Sequence, residues 1–86
     1  MENRKIYNRM AILRKERGIS RKDLAEKIGV NFQTVGYLER EEYNPSLDLA
    51  LRICDFFQLP VEFIFSNRPL RPMSEEIKER QEKKGV

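Results

Sequence analysis

Apolar positions recur at helical spacing through most of the chain. Ile6, Met10 and Leu13 fall four and three residues apart, on one face of a helix predicted over residues 4–17. Gly18 follows, a residue that closes a helix in the left-handed conformation, and Ile19 can fold back on the last turn. Leu24, Ala25 and Ile28 form the inner face of a second helix over residues 21–28. Ser20 is its N-cap, and Asp23 sits where the helix dipole favours an acid. Ala25 lets a neighbouring helix cross closely. Gly29 stops this helix, Val30 turns into the core, and Asn31 caps a third helix over residues 32–40. A loop over residues 41–45 closes on Asn44-Pro45. Ser46 then caps a fourth helix over residues 47–57, with Leu47, Ala50, Leu51, Cys54 and Phe57 as its inner stripe. Pro60 opens a short fifth helix over residues 61–65, where Phe63, Ile64 and Phe65 are too apolar to be left in water. Some of these pack inside and the rest against a second copy of the chain.

The third helix carries the most information. Val35 and Leu38 lie on one side, whereas Phe32, Gln33, Gly36, Tyr37 and Arg40 fill an arc of roughly 140° on the other. A structural helix rarely exposes two aromatic rings beside a Gln, so this face is expected to meet a partner. Two short helices joined by a tight turn at Gly29 make a helix-turn-helix, the second helix shaped for the DNA major groove. Gly36 in mid-helix costs about 1 kcal/mol against Ala. Either it lets the helix sit deeper in the groove, or it is simply tolerated.

Composition narrows the picture. The 86 residues fit one small domain, expected over residues 1–65, followed by a polar tail over residues 66–86 that is mobile or ordered only on a partner. Ser74 caps a marginal helix in that tail, with Ile77 as its only large apolar residue. No apolar run approaches the roughly 18 residues of a membrane span, and the first ten residues hold no signal core, so a cytoplasmic protein is expected. Cys54 is the single cysteine and reads as a core filler; histidine is absent. No metal site, cofactor or catalytic constellation is expected, and the chain is not read as an enzyme. Residues 1–30 carry nine Lys or Arg against four acids, residues 31–65 two against six, and residues 66–86 six against four. A basic first third suits DNA, and equally a solvated charged surface.

The run LRKERGISRKDLAEKIGVNFQTVGYLEREEYNPSL resembles the Cro/CI-type helix-turn-helix family of bacterial and phage regulators. The likeness covers roughly residues 6–65 and rests on Leu13, Arg14, Gly18, Leu24, Ala25, Gly29, Val35, Leu38, Glu39, Asn44 and Pro45. It implies an all-α, five-helix lambda-repressor-like DNA-binding domain working as a homodimer on operator DNA. Base contacts fall on Asn31, Phe32, Gln33 and Tyr37. Phosphate contacts fall on Ser20, Arg21, Thr34, Arg40, Tyr43 and Asn44, with Arg21 standing where relatives often carry Gln. The dimer surface falls on Pro60, Val61, Ile64 and Phe65, and Arg14 with Glu39 matches a pair that ties the first helix to the third. Glu41-Glu42 replaces the frequent Gly-Lys and should oppose the phosphate backbone.

In chemical terms, Gln33 can bond N6 and N7 of adenine, and the rings of Phe32 and Tyr37 can pack on thymine methyl groups. Arg21, at a helix N-terminus, combines charge with dipole toward a phosphate. The leading expectation is a sequence-specific transcription regulator, a repressor, partnered by double-stranded DNA and a second copy of itself. No small-molecule effector is evident and no membrane partner is expected. The alternative is an antitoxin or adaptor whose main surface binds protein.

Overall fold

The computed structural model describes residues 5–72, 74, 75 and 77. Five helices follow in order: α1 (Met10–Glu16), α2 (Arg21–Ile28), α3 (Phe32–Glu39), α4 (Leu47–Phe57) and α5 (Val61–Ile64). Around one core they contribute Met10 and Leu13, Leu24 and Ile28, Val35 and Leu38, Leu49, Ile53 and Phe57, and Ile64, each buried. Full burial of such a side chain is worth about 1.5–3 kcal/mol, so these residues dominate the stability of the fold. Cys54 is buried among them, and burial pushes its thiol pKa up.

Local signals set the helix ends. At the end of α1, Gly18 adopts φ +67° and the Gly18 and Ile19 N–H groups donate back to the carbonyls of Lys15 and Arg14, closing a Schellman turn. α2 begins with a reciprocal capping box between Ser20 and Asp23. Asn31 and Ser46 cap α3 and α4, their side-chain oxygens accepting from the Thr34 and Leu49 N–H groups.

The chain before Met10 departs from the predicted helix. Tyr7–Asn8 forms a two-residue strand, β1, antiparallel to β2 (Phe65–Ser66), with Tyr7 opposite Ser66. The reason is competition for hydrogen bonds. The Ile6 N–H donates to Asn44 Oδ1 at 3.0 Å, the Asn8 N–H to Glu41 Oε2 at 2.9 Å and Asn8 Nδ2 to the Leu38 carbonyl at 2.7 Å. These tertiary partners hold the segment extended. The expected helix start at Arg4 lies outside the described residues.

α4 is rotated from its expected stripe. Leu49 and Ile53 are buried with Ala50, Cys54 and Phe57, whereas Leu47 and Leu51 are 73% and 53% exposed. The helix is apolar around most of its circumference, so two stripes compete, and packing against α2 and α5 selects the one through Ile53. Arg52, beside it, donates from Nη1 to the Ile28 carbonyl at 2.7 Å and so closes the end of α2.

A second correction concerns Ile64. Expected on a dimer surface, it has no exposed area, because it completes the core beneath α1 and α4. Phe65 is half-buried and Pro60 exposed, while Val61 remains 42% exposed.

Arg9 is buried at 3% exposure. Its backbone N–H donates to the Ile64 carbonyl, its Nη1 to the Phe63 carbonyl and its Nη2 to the Arg71 carbonyl. Chain beyond β2 is thereby held against α1 as far as Arg71. Of the expected tail helix, residues 74, 75 and 77 are helical and its remainder lies outside the described residues. Among the described residues no helix is long and apolar enough to cross a membrane.

Candidate nucleic-acid interface

α2 and α3 meet at the turn that Gly29 makes possible. Gly29 has φ +74°, and a Cβ there would stand 3.0 Å from Arg52 Nη1. Leu24, Ala25 and Ile28 of α2 join Val35 and Leu38 of α3 in the core. This fixes the opposite side of α3 toward solvent: Phe32 is 54% and Tyr37 49% exposed, with Asn31, Gln33 and Arg40 exposed beside them. Arg21, Phe32, Gln33, Gly36, Tyr37 and Arg40 line a shallow cleft of about 140 Å³. The arc expected from helical spacing is therefore one surface, and Arg21 of α2 forms part of its wall.

Behind the cleft, Glu39 joins three helices. Its side chain is 2% exposed. Arg14 donates to it from Nε at 2.6 Å and from Nη2 at 3.2 Å, and Arg21 donates from Nε at 2.9 Å. Burial works against the charged carboxylate, but the hydrogen bonds and charges of Arg14 and Arg21 outweigh it, and the Glu39 pKa lies below the ordinary value. Arg14 with Glu39 is the pair implied by the resemblance. Arg21 as its third member was missed; the signal for it was a full charge where relatives often carry Gln.

The remaining phosphate candidates divide by their present partners. Ser20 Oγ accepts the α2 cap bond and Thr34 Oγ1 lies 2.9 Å from Asn31 Oδ1, so both hydroxyls also serve helix caps. Asn44 accepts from Ile6, and its side chain holds the N-terminal segment. Tyr43 is 45% exposed.

The two acids after α3 do different things. Glu41, at φ +62°, turns back to β1, accepting the Asn8 N–H and lying 3.5 Å from Lys5 Nζ. Glu42 instead pairs with Arg40, whose Nε donates to Glu42 Oε1 at 2.9 Å. That bond raises the Arg40 pKa further. Arg40 also lies over the Tyr37 ring, 5.2 Å from its centroid. Of the two acids only Glu42 thus stands beside the exposed face of α3, where it is engaged by Arg40.

Among the described residues no group of three His, Cys, Asp or Glu side chains is arranged to hold a metal. What the surface offers is a helix bearing an amide, two aromatic faces and the Arg40 guanidinium, with that of Arg21 on α2 beside it. Those are the donors and stacking surfaces suited to a nucleic-acid groove.

Fold and surface together define a lambda-repressor-like, helix-turn-helix domain. A helix-turn-helix family model matches residues 10–64, and the chain belongs to this family of HTH-type transcriptional regulators. It is 40% identical over 58 residues to an uncharacterized HTH-type transcriptional regulator of Methanocaldococcus jannaschii, covering 67% of this chain and 88% of the relative. It is 43% identical over 58 residues to the uncharacterized regulator YgzD of Bacillus subtilis, with the same coverage. In three dimensions it is similar to the crystal structure of a Bacteroides fragilis protein proposed to bind DNA, at TM-score 0.64 and 20% identity, covering 71% of this chain and 98% of that one.

Proposed function

We propose that this chain is a Cro/CI-type, sequence-specific transcription regulator that acts in the cytoplasm as a homodimeric repressor on operator DNA. The observation that carries this reading is the exposed face of α3, where Phe32, Gln33, Tyr37 and Arg40 surround one cleft on a helix braced from behind by Glu39. Membership of the family supports it.

Asn31, Phe32, Gln33 and Tyr37 are assigned to base edges. The Gln33 amide matches the donor and acceptor pair of adenine, and the aromatic rings match thymine methyl groups. Ser20 and Arg21, at the N-terminus of α2, are assigned to one phosphate, with Thr34 and Tyr43 as flanking donors. Asn44 is assigned an indirect role, through its hold on the N-terminal segment. One such helix reads few base pairs. Two copies joined through Pro60, Val61 and Phe65 would read two half-sites about 10 base pairs apart.

Selection of bound fragments from a random DNA pool tests the proposal. The expected product is an inverted repeat with half-sites one helical turn apart. Gln33→Ala then weakens discrimination at one adenine by about 1–3 kcal/mol. No enrichment in low salt, together with a defined protein partner recovered on the α3 face, would overturn the reading in favour of an antitoxin or adaptor.

A further inference from the structure

Arg40 is the last residue of the exposed arc on α3, and its side chain folds back along the helix. Its guanidinium lies on the α3 backbone itself: a Cβ built on Gly36 would stand 3.0 Å from Nη1 and 3.7 Å from both Cζ and Nη2. Gly36 is buried although it faces solvent on the helical wheel, because Arg40 packs against it. Two further contacts fix the group. Glu42 accepts from Nε at 2.9 Å, and the Tyr37 ring lies 5.2 Å from Cζ. The guanidinium therefore forms one wall of the cleft that Phe32, Gln33 and Tyr37 also line.

This geometry selects a ligand edge. With Nε held by Glu42, the terminal Nη1 and Nη2 edge remains as a two-donor fork, with no hydrogen bond to any described residue. Two parallel donors match two parallel acceptors. In the major groove guanine alone presents them, at O6 and N7; adenine pairs an acceptor with a donor.

Resting on the reading of α3 as the recognition helix, we propose that Arg40 is a specificity-determining residue. It reads one guanine through its Nη edge, with Gly36 as the seat that admits it and Glu42 as the brace that orients it. Glu42 is then part of the reading head and not a defect in the phosphate-binding surface.

The test uses the full chain and the sequence enriched by the wild type from a random pool. Affinity is measured on that duplex and on its single-base-pair substitutions, across a salt series. The wild type should discriminate about 5- to 150-fold for one G·C pair, as expected for a bidentate contact. Arg40→Ala should abolish preference at that pair, leave the other pairs discriminated and leave the salt slope unchanged. Arg40→Lys keeps the charge but loses the fork, and should lose most of the same preference. Gly36→Ala improves helix propensity, so it should fold well and yet lose the preference, by displacing the guanidinium. In an Arg40→Ala background Gly36→Ala should add nothing, which ties the glycine to the arginine. Glu42→Gln should bind random DNA more tightly but discriminate less at that pair.

If Arg40→Ala lowers affinity evenly on every sequence and flattens the salt slope by about 0.9, Arg40 binds phosphate and the assignment falls while the regulator reading stands. If Gly36→Ala keeps the preference, the seat is wrong. Failure of the wild type to enrich any sequence would overturn the regulator reading, and this assignment with it.

Discussion

Glu39 does the most mechanical work of any single side chain. It receives Arg14 from α1 and Arg21 from α2 while standing on α3, so one carboxylate fixes the angle at which the recognition helix is presented. Its folded pKa lies below the ordinary value of 4.5. The stabilisation it provides is therefore complete above that value and is lost as pH falls through the depressed folded pKa. Glu39→Gln should cost about 3 kcal/mol at neutral pH, the low end for a broken buried pair. Urea midpoints followed from neutral to acid pH should fall more steeply in the wild type than in this variant. An equal acid slope in both would show that the network adds no pH dependence. At this scale the sequence was only partly legible. Motif position implied Arg14 with Glu39, but no spacing rule marks Arg9 as buried, because a charged residue within a predicted surface helix normally reads as solvated. Its partners are carbonyl groups from residues more than 50 positions away, which a local pattern cannot contain.

Helix ends were the most legible elements, since caps are written in adjacent residues. Ser20 with Asp23, Asn31, Ser46, Gly18 and Gly29 all act where their chemistry demands. The two glycines nevertheless differ. A Cβ on Gly18 meets nothing within 4 Å, so Gly18→Ala should cost only the left-handed backbone, about 1–2 kcal/mol. Gly29→Ala must also push aside the Arg52 guanidinium that bonds the Ile28 carbonyl, and should cost up to about 1 kcal/mol more. Thermal denaturation of the two variants checks the order; equal losses would mean that Arg52 gives way freely. Element faces were less legible than ends. In α4 two apolar stripes share one helix, and its contacts with α2 and α5 choose between them. The start of α1 failed for a similar reason, since the partners that hold β1 extended lie on α3, the following loop and β2.

On the scale of the molecule, the segments that flank the five helices close on each other. β1 pairs with β2, and Arg9 holds the chain as far as Arg71. Truncation after residue 65 should lower the melting temperature, because it removes Ser66 of β2 and the Arg71 carbonyl that Arg9 bonds. The five-helix architecture was visible in the periodicity of the sequence, while this closure was not, because two-residue strands carry too little pattern to detect. DNA binding also belongs to this scale. Arg21→Ala should reduce the log–log salt slope by about 0.9, the release of one phosphate's counterions, and should also loosen α2 from Glu39. The central claim is that the solvent face of α3 is the surface that meets DNA. Amide chemical-shift mapping of the full chain, titrated with the duplex it selects, tests it most directly. The account predicts the largest shifts at residues 20–21, 31–34, 36–37 and 40, with α5 little changed. Unmoved resonances along α3, with the shifts gathered elsewhere, would contradict it.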